Sequence, residues 1–215
     1  MNQKTRKLTT VAMLCAMSYA VMLIGRIPVV LFLKYDPKDV IIAIGGFLFG
    51  PLTSFIISLV VSLVEMFTAS ETGIIGCIMN LISTCAFACT AAFIYKRKHT
   101  IKGAVIGLLT GCITMTAIML LWNYLITPIY MGVPRTEVVK LLIPAFLPFN
   151  LLKGILNLSI TLLLYKPIVT ALRKTGLVEE SHSQTQKSKK TGIILLSLLA
   201  LVTCIFIILV WNGVI

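Results

Sequence analysis

Three polar side chains, Asn150, Lys153 and Asn157, interrupt a long apolar run over residues 142–165. At about 100° per residue they fall within about 60° of one another on a helix. An ammonium group inside an apolar helix of this length usually marks a ligand or ion path. The alternative is that the asparagines hold helices together and that Lys153 pairs with a carboxylate, for which Glu65 is the obvious candidate. The pattern favours a binding site for a solute.

Further polar residues are expected at a similar depth in neighbouring apolar runs. Asn80 lies in "GCIMNLIS", and Asn123 lies in "LLWNYLITPIY" between two aromatic residues that could also form an interfacial belt. Each residue alone could be structural. Together with the row at Lys153 they predict a cavity that is open to the outside, rich in neutral hydrogen-bonding groups and poor in charge. Such a lining suits a flat, mostly uncharged ligand with polar edges better than an inorganic ion.

The composition is that of a membrane protein. Of the 215 residues, 58% are hydrophobic and only 12% are charged, and apolar runs of about twenty residues recur, the length of a transmembrane helix. The fold class is therefore an all-α polytopic membrane protein. The net charge of +12 comes from Lys and Arg at the predicted helix ends, where they meet anionic lipid, and does not indicate a nucleic-acid partner. The six cysteines lie in apolar runs and only two histidines are present, so no metal site is expected.

The apolar runs predict seven spans, of which the second is short. Alternating loops place the basic "KTRK", "KRKHTIK" and "KSKK" segments on the cytoplasmic side, which predicts a cytoplasmic N-terminus and an external C-terminus in the cell membrane. The predicted organisation is a six-helix bundle over residues 1–175, a hydrophilic cytoplasmic linker over 176–191 and an additional transmembrane helix over 192–215. The predicted spans cover about residues 8–27, 40–49, 51–68, 74–95, 103–130, 142–165 and 193–211.

Small residues and missing motifs suggest dependence on other subunits. Ala12, Ala16 and Ala20 recur every four residues in the first span, a spacing that lets another helix approach closely. The sequence contains no Walker A motif and no set of a nucleophile, base and orienting group, so neither ATP hydrolysis nor catalysis is expected. Acidic residues are scarce in the spans, which disfavours a proton relay. Energy for uphill transport would then come from partners.

Several longer segments resemble one family. "LKYDPKDVIIAIGGFLFGP", "ETGIIGCIMN" and "WNYLITPIYMG" with "LIPAFLPFNLLKGILN" are similar to the riboflavin-specific S component of energy-coupling factor (ECF) vitamin transporters, over roughly residues 8–175. The resemblance implies a six-helix bundle that captures riboflavin from outside. It also implies association with a transmembrane coupling subunit and two cytoplasmic ATPases that drive toppling and release. The last apolar run exceeds the six-span pattern.

The resemblance assigns roles to individual residues. It implies that the alanine row meets the coupling subunit and that the loop after the first span caps the ligand. Asn157 joins the candidate binding residues through the row on its helix. FMN remains a possible ligand, and the alternatives are an S component for another vitamin or precursor such as pantothenate or a deazapurine, a stand-alone secondary carrier, and an intramembrane enzyme or chaperone. The ligand contacts that the resemblance implies are Leu33, Lys34, Tyr35, Asp36, Gly73, Asn80, Asn123, Asn150 and Lys153.

Overall fold

The computed structural model describes residues 2–30, 33–70, 72–174 and 190–211. Nearly all of these residues are helical, which confirms the predicted all-α class. The elements in chain order are α1 (Gln3–Gly25), β1 (Ile27–Val30), β2 (Leu33–Tyr35), α2 (Lys38–Phe49), α3 (Pro51–Thr68), α4 (Gly73–Arg97), α5 (Ile101–Met131), α6 (Arg135–Leu141), a π-helical turn (Leu142–Phe146), α7 (Leu147–Lys174) and α8 (Lys190–Trp211).

Two segments expected to be loops carry secondary structure. The segment after α1 contains β1 and β2, which pair antiparallel with Ile27 opposite Tyr35 and with an irregularity between Pro28 and Val30. Proline has no N–H for a strand ladder and is tolerated at such irregular positions. The segment after α5 contains the short helix α6. The expectation of loops was wrong at both places because these elements are too short to show a clear periodicity.

Five helical units in the described part of the chain are long and apolar enough to cross a membrane: α1, α3, α4, α5 and the unit from Arg135 to Leu172. The expected second span is the 12-residue helix α2, which is about 18 Å long and too short to cross alone. Almost every residue of α2 is buried within the protein. It is therefore an internal helix that contacts its neighbours on all sides.

The turn between α2 and α3 follows from its sequence. Gly50 has φ 93°, a left-handed conformation that side chains disfavour, and its N–H donates to the carbonyl of Gly46. Pro51 follows as the first residue of α3, where its fixed φ suits a helix and its missing N–H costs no hydrogen bond. The "GP" pair therefore ends one helix and starts the next without a linker.

Helices α4 and α5 pack closely against each other in the core. A Cβ atom added at Gly111 would lie 2.5 Å from the Phe87 carbonyl oxygen, and one added at Gly107 would lie 2.7 Å from that of Ala91. Glycine at these two positions lets the backbones approach, as small residues do between membrane helices. The same region holds the larger buried cluster, which includes Phe87, Leu108 and Met115.

The π-helical turn sets the position of the polar row on α7. Pro144 lies inside this turn, and proline removes a backbone donor and clashes with the preceding turn of an α-helix. The helix therefore takes the wider π-helical form here, in which the N–H of Leu147 donates to the carbonyl of Leu142. Asn150, Lys153 and Asn157 then lie on the regular helix that follows, all buried.

The last helix packs on the rest of the bundle. Cys204 and Ile208 of α8 belong to a buried cluster with Leu156 of α7 and Val29 and Leu33 of the hairpin. The expected linker lies almost entirely within residues 175–189, outside the described residues. The predicted domain boundaries therefore stay predictions.

Candidate functional site

One end of the bundle contains a cavity of about 80 Å³. It lies between the C-terminal ends of α1, α3 and α5, the N-terminal ends of α4 and α7, and the β1–β2 hairpin. Its volume is well below the roughly 300–1,000 Å³ of typical small-molecule pockets, so its walls must separate to admit a ligand of vitamin size. The lining residues are Arg26, Leu33, Lys34, Asp36, Glu65, Ser70, Thr72, Met79, Asn80, Ser83, Met119, Asn123, Phe149, Asn150 and Lys153.

Four charged residues form a compact network on one side of the cavity, which we call the Arg26 cluster: Arg26, Asp36, Lys38 and Glu65. Arg26 Nε donates to Asp36 Oδ1 at 2.7 Å, and the guanidinium also donates to Glu65. Lys38, which is 1% exposed, donates to the other Glu65 oxygen and lies 3.7 Å from Asp36. Asn80 Nδ2 adds a hydrogen bond to Glu65 at 2.9 Å. The two cations balance the two anions, as buried charges require.

Asp36 and Arg26, which lie between the helices in sequence, both keep their charges. Burial alone would raise the pKa of Asp36, but the charge of Lys38 and the hydrogen bond from Arg26 outweigh it, and this pKa lies below its usual value. Burial would lower the pKa of Arg26, but its bond to Asp36 and the charges of Asp36 and Glu65 raise it instead. Both groups are therefore ionised at neutral pH.

A second network, the Asp39 cluster, lies between α2, α4 and α7 and consists of Tyr35, Asp39, Thr84, Lys153 and Asn157. The Asp39 side chain is fully buried, and Thr84 Oγ1 donates to its Oδ1 at 2.6 Å. Lys153 Nζ and Asn157 Nδ2 each lie 3.2 Å from its Oδ2. The Tyr35 hydroxyl donates to Asn157 Oδ1 at 3.0 Å. Three donors thus converge on one carboxylate, and a chain of hydrogen bonds links the hairpin to the cavity lysine.

Two amide groups, on α5 and α7, also line the cavity. Asn123 Nδ2 donates to the Met119 carbonyl and Asn150 Nδ2 donates to the Phe146 carbonyl, each at 2.7 Å. An asparagine side chain has two N–H donors and an oxygen with two lone pairs. Each amide is therefore fixed to its own helix through one N–H and retains further donor and acceptor capacity. Thr127 uses one lone pair of the Asn123 oxygen, at 2.9 Å.

The structure places most of the predicted binding residues on the cavity. Those that line it are Leu33, Lys34, Asp36, Asn80, Asn123, Asn150 and Lys153. Gly73, Tyr35 and Asn157 do not line it. Gly73 is the first residue of α4, and the polar atoms of Tyr35 and Asn157 are bonded within the Asp39 cluster. Lys153 has a carboxylate partner, but it is Asp39 and not Glu65.

The expectation of a lining poor in charge was wrong. Arg26, Asp36 and Glu65 all line the cavity, together with Lys34 and Lys153. Sequence reasoning missed Arg26 because a basic residue at the end of an apolar run is normally read as a lipid anchor. It missed Asp39 because an acid in the first turn of a helix usually faces solvent and interacts with the helix dipole. The short apolar run after "YDPKD" was the signal that this helix begins inside the protein.

The alanine row lies on the outer face of α1. Ala12, Ala16 and Ala20 are exposed, whereas Leu14 and Met22 on the other face are fully buried. The row is thus accessible to a further helix, and its assignment to a coupling subunit stays a prediction.

A sequence profile of the family described as "ECF transporter, substrate-specific component" matches residues 6–165, about three quarters of the chain. The chain belongs to this family. A solved structure described as "Structure and mechanism of the S component of a bacterial ECF transporter" shares its fold, with a TM-score of 0.67 and 28% identity, over 79% of this chain and 99% of that one. This S component is accordingly a multi-pass membrane protein with the all-α fold of its family.

Curated relatives of this S component have similar names. It is 28% identical to the "Riboflavin transporter RibU" of Staphylococcus aureus (strain TCH60) over 80% of this chain and 95% of that protein. It is 29% identical to the "Riboflavin transporter FmnP" of Bacillus subtilis (strain 168) over 71% and 86%. The corresponding RibU of Streptococcus thermophilus is 27% identical over 79% and 86%.

Proposed function

We propose that this S component binds riboflavin at the cavity and delivers it to an ECF transporter for uptake. The observation that carries the proposal is the position of Asn80, Asn123, Asn150 and Lys153 on one cavity, in a chain whose relatives are named riboflavin transporters. An isoalloxazine ring has an imide edge and carbonyl oxygens. Asparagine side chains can donate and accept on such an edge at the same time.

The charges within the two networks at the cavity balance, which is compatible with an uncharged ligand. The Arg26 cluster is neutral, and the charge of Lys153 is matched by Asp39. A lysine ammonium has three N–H groups, of which one points to Asp39 and one to Ser83 Oγ at 3.2 Å. One N–H of Lys153 is left for a ligand carbonyl or hydroxyl. Leu33, Met79, Met119 and Phe149 supply the apolar surface for the ring.

The proposed orientation follows from the basic residues. Lys4, Lys7, Arg97 and Lys102 lie at the helix ends opposite the cavity, and the positive-inside rule assigns such an end to the cytoplasm. The cavity would then open to the outside, with the N-terminus cytoplasmic and the end of α8 outside. The partners are a transmembrane coupling subunit, which contacts the exposed row Ala12, Ala16 and Ala20, and two cytoplasmic ATPases.

The test is flavin binding by the purified protein in detergent, measured by quenching of riboflavin fluorescence. Wild-type protein is expected to bind riboflavin and to show a yellow flavin spectrum after purification from flavin-containing cells. Lys153→Ala and Asn123→Ala should each weaken binding by about tenfold or more, because each leaves a polar edge of the ligand unpaired. Exposed Lys140 provides the control, since Lys140→Ala removes a lysine on α6 that pairs with Glu137 and should leave binding unchanged.

Competition experiments identify the class of ligand. FMN shares the ring edge but carries a phosphate on the ribityl chain, so its competition shows whether the site tolerates that charge, whereas pantothenate lacks the ring and should not compete. A preparation that binds pantothenate or a deazapurine in place of flavin would transfer the site to another vitamin. Uptake into vesicles that lack ATPases and a coupling subunit would instead favour a stand-alone carrier.

A further inference from the structure

Tyr35, Asp39 and Asn157 form a buried connection between the hairpin and the cavity. Tyr35 lies on β2 directly after Leu33 and Lys34, which line the cavity. Its hydroxyl donates to Asn157 Oδ1 at 3.0 Å, and Asn157 Nδ2 donates to Asp39 Oδ2 at 3.2 Å. The same Asp39 oxygen lies 3.2 Å from Lys153 Nζ. Tyr35 is 5% exposed and Asn157 is fully buried, so water does not compete for these bonds.

We infer that Tyr35, Asn157 and Asp39 are positioning residues that hold the Lys153 ammonium on the cavity and couple its position to that of the β2 strand. This inference rests on the proposed flavin-binding function, because it specifies how that site is organised. It also gives a role to Tyr35 and Asn157, which sequence analysis grouped with the ligand contacts and which do not line the cavity.

The geometry explains why the carboxylate needs several donors. Lys153 and Asn157 are one helical turn apart on α7 and therefore lie on the same face, and both reach one oxygen of Asp39. Thr84 occupies the other oxygen at 2.6 Å. Because the carboxylate is fixed from α4 and α7 at once, the ammonium has one favourable position and directs its remaining N–H into the cavity. An ammonium with a loosely held partner would lose this orientation.

The connection also extends to the cavity wall. The cavity is too small for a vitamin, so its walls must separate when a ligand enters, and the hairpin, which supplies Leu33 and Lys34, is one of these walls. A shift of β2 displaces Tyr35, and the hydrogen bonds through Asn157 and Asp39 transmit that displacement to Lys153. Movement of the hairpin around the ligand and alignment of the lysine are therefore one coupled event.

The experiment is a double-mutant cycle on riboflavin affinity, with Tyr35→Phe as the mild change. This substitution keeps the ring and removes one buried hydrogen bond, so it should weaken binding about three- to tenfold. In a Lys153→Met background the same change should have less than a twofold effect, because the group on which the connection acts is gone. In an Asn123→Ala background, the altered side chain lies on α5 outside the connection. Tyr35→Phe should there weaken riboflavin binding by the same factor as in the wild type.

Three further measurements complete the test. The absorption band of bound flavin should shift in Asn157→Leu towards that of Lys153→Met, which a purely structural change would not produce. Tyr95→Phe is the matched control. It removes a hydroxyl that lies 3.1 Å from the Tyr165 hydroxyl at the other end of the bundle. It should leave the riboflavin affinity unchanged. Without flavin, Tyr35→Phe should lower the melting temperature of the wild-type protein. The same substitution should cause a smaller fall in a protein that already carries Asp39→Asn and Lys153→Met.

The outcomes separate the two proposals. Equal effects of Tyr35→Phe in the wild-type and Lys153→Met backgrounds, with riboflavin bound by the wild type, would overturn the connection and leave the ligand assignment intact. Absence of riboflavin binding by the wild type would overturn the proposed function. In that case the melting temperatures alone decide, and additive effects of Tyr35→Phe and the double change would refute the connection as well.

Discussion

Replacement of Glu65 by glutamine tests whether the Arg26 cluster holds the bundle together. Glu65 is 3% exposed and accepts hydrogen bonds from Arg26, Lys38 and Asn80. Glu65→Gln leaves two cations with the single anion Asp36, which lies 3.7 Å from Lys38. Removal of one partner from a buried ion pair costs about 3–5 kcal/mol. For a chain of this size that corresponds to a fall of roughly 6–20 °C in melting temperature, measurable by thermal unfolding in detergent.

The chain offers a matched control for this substitution. Glu137 pairs with Lys140 at 2.8 Å, but these side chains are 56% and 70% exposed, and such surface pairs contribute at most about 1 kcal/mol. Glu137→Gln should therefore shift the melting temperature by no more than about 4 °C. Adding Lys38→Met to Glu65→Gln restores the balance of charge and should recover part of the loss. Equal melting temperatures for Glu65→Gln and Glu137→Gln would refute the reasoning.

Three further predictions concern pH, the last helix and assembly. Because the pKa of Asp36 is lowered, the ionised carboxylate contributes to stability above its ordinary pKa of 3.8, and this contribution is lost as the pH falls through the lowered pKa. As the pH is lowered from 7 to 3, the melting temperature should therefore fall less steeply in Asp36→Asn than in the wild type. Identical pH dependences of the two melting temperatures would contradict this. Truncation at Glu180 removes the contacts of Cys204 and Ile208 with the hairpin and should speed flavin release while equilibrium binding persists; complete loss of binding would show that α8 belongs to the essential core. Ala16→Leu enlarges an exposed residue of α1 and should block co-purification with the coupling subunit without changing flavin affinity; unchanged co-purification would refute the docking role of the alanine row.

Sequence periodicity predicted the polar row of α7 correctly because all its members lie on one regular helix. Asn150, Lys153 and Asn157 are indeed buried within the bundle. Periodicity could not show that Asn150 and Lys153 line the cavity whereas Asn157 does not. That division depends on Tyr35 and Asp39, which are distant in sequence and reach Asn157 from the other side.

The charged networks were harder to predict because they are assembled from helix ends. Arg26 follows α1 and Asp36 precedes α2, positions that in most membrane proteins face the aqueous boundary. Here α2 is a short internal helix, so its N-terminus and the preceding residues lie within the bundle. The short length of the second apolar run therefore indicated that α2 begins inside the protein. Only the packed structure shows which charged residues are buried there.

The two ends of the bundle differ in a way that bears on transport. Opposite the cavity, the Phe47 ring lies 4.5 Å from the Tyr95 ring and 5.8 Å from the Tyr165 ring, and the two tyrosine hydroxyls are 3.1 Å apart. These aromatic contacts join α2, α4 and α7 at that end, and the close α4–α5 contact at Gly111 adds a second constraint. Opening a passage there would break this packed core, whereas at the other end a cavity already lies between the helices. A ligand is therefore expected to enter at the cavity end, and the reorientation of the whole bundle that the resemblance to ECF S components implies is consistent with exchange at that end.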